Sequence, residues 1–289
     1  MFSQIGELKM ELTAQQQEKI NNKECLIFTD LDGTLLGHDA YDLGRVPEFL
    51  QHLKEINVPV IFNTSKTWAE VQELQKTLDY YFPCVVENGG GIHISAQSNW
   101  KPKALSDGEN QSKIDENQKS VRDDINLIID VIGSQFQFQR MRDWDAEQVS
   151  YHTSLSLENA MLANRRLYSE PLLWQDTDTN LVQFTQLVTE KGLRLVRGGR
   201  FCHVMKQHDK SVAMRKIISA YENDFGFKPL TIALGDNHND KQMLENADIA
   251  CVLTLPGRNR MEITHTSVYC PEQPAPEGWT ESISFLFNF

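Results

Sequence analysis

Short apolar segments and amphipathic helical segments alternate along the N-terminal third of the chain. Residues 26–28, 58–62 and 84–86 are rich in β-branched, aromatic and other apolar side chains, which is typical of buried strands. Between these segments, residues 46–56 and the stretch that begins at Trp68 carry apolar side chains at helical spacing. Strands that alternate with helices are typical of a parallel sheet with helical crossovers, so the sequence predicts an α/β fold.

Polar residues follow the first of these strands directly. Asp30 and Asp32 are two positions apart and are followed by Gly33 and Thr34. Because alternate residues of an extended chain lie on the same side, the two carboxylates can converge beyond the strand end. Two carboxylates at such a short distance repel each other unless a cation lies between them or one of them is protonated. A calcium-binding EF-hand loop is excluded, since Thr34 stands where that loop needs another acidic or amide ligand.

Three further polar clusters stand at the end of a predicted strand or at the start of a predicted helix. They are Thr64-Ser65-Lys66, Lys210, and Gly235-Asp236 with Asn239-Asp240. Ligands of open α/β sheets bind at the carboxyl ends of the strands, so we expect the four clusters to gather at one edge. Each cluster alone is also compatible with a turn, a helix cap or a surface lysine. Together they predict an active site.

The regular alternation stops between residues 91 and 203. Residues 95–120 are rich in Ser, Asn, Lys, Asp and Gly, which predicts an exposed loop or a weakly structured insertion. The following stretch mixes two kinds of pattern: helical at 121–132 and 156–168, and strand-like at 181–187, 193–196 and 201–205. We therefore predict a core built from residues 1–90 and 204–289, with an inserted α/β cap domain at 91–203.

Composition limits the partners of the chain. The formal net charge of −12 disfavours non-specific binding to nucleic acid, because the phosphate backbone would be repelled on average. No apolar run approaches the roughly 18 residues that span a bilayer, and residues 1–22 lack the apolar segment of a secretory signal. Five cysteines without metal-like spacing fit reduced thiols. We expect a cytoplasmic protein that binds neither nucleic acid nor membrane.

The combined motifs resemble those of haloacid dehalogenase superfamily phosphatases of subclass IIB, and more narrowly the mannosyl-3-phosphoglycerate phosphatase family. The resemblance covers about residues 23 to 255. Its motifs are Asp30-Leu-Asp-Gly-Thr-Leu-Leu36, Asn63-Thr-Ser-Lys-Thr67, Glu87-Asn-Gly-Gly-Gly-Ile92, Arg166-Leu-Tyr-Ser-Glu-Pro171, Gly198-Gly-Arg-Phe-Cys-His203, Asp209-Lys210 and Ala233-Leu-Gly-Asp-Asn-His-Asn-Asp240. Two positions depart from the family pattern: Ser211 replaces the usual glycine after Asp-Lys, and Asn237 replaces a serine.

This resemblance implies a Rossmann-like core with a C2-type cap and Mg²⁺-dependent hydrolysis through an aspartyl-phosphate. Asp30 would attack phosphorus, and Asp32 would protonate the leaving oxygen and later deprotonate the attacking water. The phosphoryl oxygens would be held by Thr64, Ser65 and Lys210. The implied Mg²⁺ ligands are the Asp30 side chain, the Asp32 carbonyl and Asp236, with Asn239 and Asp240 as supporting residues around the metal.

The cap would then select the substrate. The resemblance implies that the substrate-binding residues of the cap are Arg166, Ser169, Glu170, Arg200 and His203. Arg166 and Glu170 could instead pair with each other on a predicted helix. We expect a small phosphorylated sugar or glyceryl glycoside, with mannosyl-3-phosphoglycerate, hydrolysed to mannosylglycerate and phosphate, as the first choice. The alternative substrates are glucosyl-3-phosphoglycerate and a hexose, sugar-alcohol or sucrose phosphate. The alternative functions are a phosphomutase reaction and a sugar-phosphate sensor without turnover. The sequence leaves the oligomeric state open.

Overall fold

The computed structural model describes residues 10–37, 42–106, 120–198, 200–255, 257 and 259–289. The chain divides into two compact units. The described parts of Met1–Thr64, Pro102–Ala104 and Met214–Phe289 form the first unit, and those of Ser65–Lys101 and Leu105–Ala213 form the second. The predicted cap limits at residues 91 and 203 lie within the second unit and stay a prediction. Gly199, one of the motif residues, lies outside the described residues.

The helices and strands are numbered in chain order. They are α1 Ala14–Asn21, β1 Cys25–Thr29, α2 Val46–Glu55, β2 Val60–Asn63, α3 Trp68–Leu78, β3 Cys84–Val86, β4 Gly91–His93, α4 Lys103–Ser106, α5 Val121–Ile132, β5 Phe138–Arg140, α6 Ala146–Thr153, α7 Leu157–Ala163, β6 Ser169–Trp174, α8 Asp178–Glu190, β7 Leu193–Arg197, β8 Cys202–Lys206, α9 Lys210–Phe225, β9 Leu230–Gly235, α10 Lys241–Glu245, β10 Ile249–Val252, β11 Val268–Tyr269 and α11 Glu277–Phe287. Two 3-10 turns cover Glu87–Gly89 and Met141–Asp143.

Five parallel strands form the sheet of the first unit, in the order β11-β10-β9-β1-β2. Every residue of β1 is buried, as expected for a central parallel strand, which explains its continuous apolar sequence. Thr29 pairs in register with Phe62 of β2 and with Leu234 of β9. The three strands therefore end at the same level, and the residues that follow them emerge at one edge of the sheet.

The first and the last described helices, α1 and α11, pack on this unit. Helix α1 begins with a capping box at Thr13, and Gln16 Nε2 donates to the Asp248 carbonyl at 3.1 Å. The described part of the N-terminal segment is thus a docked helix. The C-terminal tail, which the sequence leaves without an assignment, contains α11, whose Trp279 and Ile283 are fully buried.

The second unit contains the β3–β4 antiparallel hairpin and a four-stranded antiparallel sheet in the order β5-β6-β8-β7. Helices α5 and α8 cover one face of the four-stranded sheet, where Ile125, Ile129, Leu172, Phe184 and Val204 form a buried core. The predicted fold class, an α/β Rossmann-like core with a parallel sheet and an inserted α/β cap, is confirmed. None of the helices in the described residues is long and apolar enough to cross a membrane.

Three predictions about the second unit are wrong in part. Residues 181–187, predicted as a strand, belong to helix α8, because Leu181, Phe184 and Val188 form one buried helical face. The helix predicted at 156–168 ends at Ala163, and β6 begins at Ser169. The loop predicted at 95–120 includes the buried Ser98, Trp100 and Leu105. The part of that loop at 107–119 lies outside the described residues.

Candidate active site

Three carboxylates meet at the edge where β1 and β9 end. Asp30 follows β1, whereas Asp236 and Asp240 follow β9, and oxygen atoms of the three side chains lie within 4.8 Å of one another. Asp30 and Asp240 are buried and Asp236 is partly buried. Carboxylates this close require a positive charge or a proton between them. Because all the donors are oxygen atoms, the cluster suits a hard divalent cation such as Mg²⁺.

The loop after β9 is fixed by its own side chains. Asp240 Oδ2 accepts hydrogen bonds from the backbone N–H groups of Asp236 at 3.2 Å and Asn237 at 3.1 Å. Thr34 Oγ1 donates to Asp236 Oδ1 at 3.0 Å. Gly33 has φ +75°, and a Cβ at this position would lie 2.9 Å from Asp236 Oδ2. Asp240 and Thr34 therefore hold Asp236 in place from two sides, and Gly33 leaves the space that the Asp236 carboxylate occupies.

The remaining core residues predicted for phosphate chemistry occupy strand and helix ends. Asp32 is partly buried in the turn after β1, where the Leu31 carbonyl accepts from the N–H groups of three following residues. Thr64 is fully buried directly after β2. Lys210, 1% exposed, is the first residue of α9. Asp209 Oδ1 accepts from Ser211 Oγ at 2.8 Å and Val212 N–H at 2.9 Å, so Ser211, the departure from the family pattern, takes part in the cap of this helix.

Three of the predicted cap residues lie together in the second unit: Ser169 and His203 on strands of its sheet, and Arg166 just before β6. Ser169 and His203 share a face, because Pro171, two residues after Ser169, pairs with His203 across β6 and β8. Arg166 Nη1 donates to Ser169 Oγ at 3.1 Å and to the Ser65 carbonyl at 3.4 Å. This arrangement places Arg166 next to both the cap sheet and the segment that follows Thr64 in the chain.

Two nitrogen atoms of this group have no hydrogen-bond partner among the described residues. They are Arg166 Nε and His203 Nδ1, and both are buried. The Arg166 side chain is only 9% exposed. Burial, together with the charge of Arg166, lowers the pKa of His203 to about 3, so His203 is neutral at physiological pH. Buried polar atoms without partners are uncommon in folded proteins and mark a place where a ligand can bind.

The other two cap candidates make structural contacts. Glu170, next to Ser169 on β6, points into the cap core and accepts from Arg122 Nε at 2.6 Å, Asn126 Nδ2 at 2.8 Å and the Arg142 N–H at 3.1 Å. The predicted helical pair of Arg166 and Glu170 is wrong, since Glu170 belongs to a strand and pairs with Arg122.

Arg200 is exposed on the second unit. Its Nη1 donates to the His152 carbonyl at 2.8 Å and to Ser154 Oγ at 3.2 Å. Neither Glu170 nor Arg200 joins the group formed by Arg166, Ser169 and His203.

Glu87 is the residue whose role the sequence analysis missed. It is fully buried, and its carboxylate accepts from the N–H groups of Leu167 at 2.8 Å and Tyr168 at 3.1 Å and from Ser169 Oγ at 2.6 Å. These bonds replace the helical hydrogen bonds that the predicted helix at 156–168 would have made. The available signal was position: Glu87 follows β3 directly, as Asp30 follows β1.

A cavity of ≈ 490 Å³ in the first unit adjoins Asp236. Arg260 lies at its wall, with Nε donating to Thr254 Oγ1 and Nη2 donating to the Pro271 carbonyl, both at 2.8 Å. Lys241 and His238 also line the cavity. Water and polar ligands can therefore reach Asp236 from solvent.

Comparison with known proteins gives a consistent picture. The profile of a family described as haloacid dehalogenase-like hydrolase matches residues 27–254. A glucosyl-3-phosphoglycerate/mannosyl-3-phosphoglycerate phosphatase of Persephonella marina is 31% identical over 273 residues, which cover 91% of this chain and 97% of that protein.

Solved structures share the fold at low sequence identity. A sucrose-phosphatase from Synechocystis sp. matches with a TM-score of 0.54 and 16% identity over 91% of this chain and 98% of that chain. A phosphatase of the haloalkanoate enzyme superfamily from Bacteroides thetaiotaomicron matches with a TM-score of 0.61 and 14% identity, over 91% of this chain and 95% of that one.

Proposed function

Because the chain belongs to the haloacid dehalogenase-like hydrolases, we propose that it is a Mg²⁺-dependent phosphomonoesterase for 3-phosphoglyceryl glycosides. Mannosyl-3-phosphoglycerate is the preferred candidate substrate, and its hydrolysis would give mannosylglycerate and phosphate. The observation that carries this proposal is the cluster of Asp30, Asp236 and Asp240 at the ends of β1 and β9. Such a cluster provides both a nucleophilic carboxylate and a site for a hard cation.

The proposed reaction proceeds in two displacements. A carboxylate oxygen of Asp30 forms a bond to phosphorus while the bond from phosphorus to the glycerate oxygen breaks, and Asp32 gives that oxygen its proton. Asp32 then takes a proton from water, which attacks phosphorus and releases phosphate from Asp30. Burial of Asp30 at the end of a central strand favours this role, since a rigid nucleophile keeps its orientation through both steps.

The remaining core residues would hold the phosphoryl group. Thr64 and Ser65 follow β2 and can donate hydrogen bonds to phosphoryl oxygens, and Lys210 would add a positive charge. Mg²⁺, when bound by the Asp30 and Asp236 side chains and the Asp32 carbonyl, supplies positive charge that offsets the negative charge on the transferring group. Asp240 and Asn239 would orient these ligands from the loop after β9.

The proposed choice of a phosphoglyceryl glycoside rests on the cap and on the similar protein from P. marina. Arg166 can engage the glycerate carboxylate through its guanidinium, whose Nε is buried without a partner among the described residues. Ser169 and the neutral His203 suit the hydroxyl groups of a sugar, because each can donate or accept without a charge. Glu170 and Arg200 are left out of this subsite, since their side chains are engaged elsewhere in the second unit.

The test is release of phosphate from a panel of esters with and without Mg²⁺. The panel contains mannosyl- and glucosyl-3-phosphoglycerate, 3-phosphoglycerate itself, a hexose phosphate, sucrose phosphate and p-nitrophenyl phosphate. We expect the highest kcat/KM for a phosphoglyceryl glycoside and loss of activity when the metal is chelated. Higher activity on a hexose or sucrose phosphate would replace the proposed substrate, and absence of phosphate release from every ester would favour a sensor.

A further inference from the structure

Two glutamates of the second unit are fully buried, and each lies next to an arginine that is 9% exposed. Glu170 pairs with Arg122 at 2.6 Å inside the cap core. Glu87 lies 3.8 Å from Arg166, the residue to which the proposed function gives the substrate carboxylate. The two pairs have the same burial, although Arg122 donates hydrogen bonds to Glu170 whereas Arg166 only lies near Glu87. Only the Glu87 pair includes a residue of the proposed subsite.

The backbone at Glu87 has a conformation that side-chain-bearing residues rarely adopt. Its φ is +47°, and the next two residues, Asn88 and Gly89, have φ +57° and +95°. Such a conformation costs free energy and persists only where surrounding contacts hold it. One such contact is the Glu87 N–H, which donates to the Lys66 carbonyl at 2.9 Å. Gly89 lies so close to the backbone of Asp209 that a side chain there would collide with it, which explains the glycine at this position of the turn.

This turn directs the Glu87 carboxylate onto the segment that carries the subsite. Its oxygens accept from the N–H groups of Leu167 and Tyr168 and from Ser169 Oγ, at distances of 2.8, 3.1 and 2.6 Å. One side chain thereby sets the backbone path between α7 and β6 and the rotamer of Ser169. Hydrogen bonds to a charged, buried acceptor are stronger than neutral ones, so the segment is held firmly.

The same contacts connect the subsite to the segment that follows Thr64. Glu87 binds the Lys66 carbonyl through its backbone, and both terminal nitrogens of Arg166 donate to the Ser65 carbonyl at 3.4 Å. Residues 65–66 follow the proposed phosphate-binding Thr64 directly in the chain. The position of the Arg166 guanidinium relative to residues 65–66 is therefore fixed by Glu87 and Arg166 together.

We propose that Glu87 is a positioning residue for substrate selection. It holds Arg166 and Ser169 so that the cap binds the carboxylate on the leaving group of the phosphate ester. Pre-ordering of these two side chains lowers the entropic cost of binding that leaving group. It does not improve the affinity for an ester that lacks a carboxylate. This inference rests on the proposed function, since it assumes that Arg166 and Ser169 contact substrate.

The experiment compares Glu87→Gln with Glu170→Gln as a matched control. Each substitution keeps the shape of a fully buried side chain next to an arginine but removes its charge and part of its acceptor capacity. Selectivity is measured as kcat/KM for the preferred phosphoglyceryl glycoside divided by kcat/KM for p-nitrophenyl phosphate. Melting temperatures of both variants show whether each remains folded at the assay temperature.

We expect selectivity to fall at least about tenfold in Glu87→Gln, through a higher KM for the glycoside, and to stay within about twofold of wild type in Glu170→Gln. An equal loss on both substrates, or unchanged selectivity in Glu87→Gln, would overturn the inference. If Glu87→Gln does not fold, Ser169→Ala is the second variant. It removes the 2.6 Å bond to Glu87 and the 3.1 Å bond from Arg166 Nη1, so it is expected to reduce selectivity in the same direction, and unchanged selectivity there would also overturn the inference.

The two proposals fail differently. If wild-type protein releases no phosphate from either phosphoglyceryl glycoside, the proposed function is wrong, and the inference about Glu87 is then wrong as well. If wild-type protein hydrolyses a phosphoglyceryl glycoside but Glu87→Gln keeps wild-type selectivity, only the role of Glu87 is lost.

Discussion

Trp279 Nε1 donates a hydrogen bond to Thr29 Oγ1 at 3.1 Å, and both side chains are fully buried. Thr29 is the last residue of β1, and its hydroxyl in turn donates to the carbonyl of Asp30 at 2.7 Å. Helix α11, at the C-terminal end of the chain, is therefore in contact with the residue that precedes the proposed nucleophile. The indole group supports both the stability of the first unit and the orientation of Asp30.

We predict that Trp279→Phe lowers the free energy of unfolding by about 1–3 kcal/mol, because it removes a buried hydrogen bond and leaves space at the end of β1. We also expect a lower kcat, since the backbone at Asp30 loses support. Urea unfolding and phosphate release measure the two effects. Trp174→Phe is the control. The half-buried Trp174 donates from Nε1 to the Thr177 carbonyl in a solvent-exposed hydrogen bond, so we expect a smaller loss of stability. Equal effects of the two substitutions would contradict this role of Trp279.

The buried pair of Arg122 and Glu170 makes a separate prediction about the second unit. Arg122→Met is expected to lower the free energy of unfolding by about 3–5 kcal/mol, because it leaves the Glu170 carboxylate buried without its counter-charge. In the control, Arg197→Met removes a pair with Asp178 whose side chains are 70% and 87% exposed, and a change of about 0–1 kcal/mol is expected. Urea unfolding followed by circular dichroism measures both. A small loss in Arg122→Met would show that the pair is dispensable.

His93 predicts a dependence of stability on pH. Burial lowers its pKa from 6.5 to about 4, and its Nε2 lies 3.0 Å from the Tyr168 hydroxyl. Between these two pH values the unfolded chain binds the proton more readily than the folded one. Protonation therefore favours unfolding, and the free energy of unfolding falls as pH drops from about 6.5 towards 4. At pH 5 the loss attributed to His93 amounts to about 2 kcal/mol.

The measurement compares urea unfolding at pH 7 and pH 5 in wild type and in His93→Asn. We expect the loss of stability between the two pH values to be smaller in the variant. The exposed His52, replaced by Asn, serves as the control and should retain the wild-type dependence. His203 and His208, whose pKa values burial lowers to about 3 and about 4, add losses in the same direction, so His93→Asn removes only part of the dependence.

The carboxylate cluster predicts different roles for Asp236 and Asp240. Asp236→Asn should abolish binding of a divalent cation, because it removes a proposed ligand. Asp240→Asn should weaken binding by about 10–100-fold, since Asp240 Oδ2 holds the backbone of Asp236 and Asn237. Titration with Mn²⁺ followed by electron paramagnetic resonance measures affinity without relying on activity. Wild-type affinity in Asp236→Asn would remove Asp236 from the metal site.

Sequence patterns predicted the strands and helices of the core well, because interactions between residues close in sequence determine them. The apolar run of β1 and the helical spacing of α2 each depend on side chains close in sequence, and strand register then brings Asp30 and Asp236 to one edge. The cap was harder. Residues 181–187 contain Val182 and Thr185, which favour strands, yet α8 forms because its apolar face packs on the cap sheet.

The role of Glu87 could not be predicted from its neighbours in sequence. Its carboxylate binds Leu167, Tyr168 and Ser169, about eighty positions along the chain, and those bonds end the helical conformation expected at 156–168. Glu170 shows the same limit. Its partner Arg122 lies on α5, and only the pairing of β6 with its neighbours directs the carboxylate into the cap core. Hydrogen bonds between residues far apart in sequence therefore determine where the side chains of Glu87 and Glu170 lie, and sequence patterns do not predict such bonds.

In the proposed reaction, Asp30 accepts the phosphoryl group. The most direct test is phosphate release from mannosyl- and glucosyl-3-phosphoglycerate by wild type and by Asp30→Asn, in the presence of Mg²⁺ and with equal melting temperatures confirmed. We expect rapid release by wild type and none above background by Asp30→Asn, because an amide cannot replace the carboxylate as nucleophile. Wild-type activity in folded Asp30→Asn would contradict the proposed reaction.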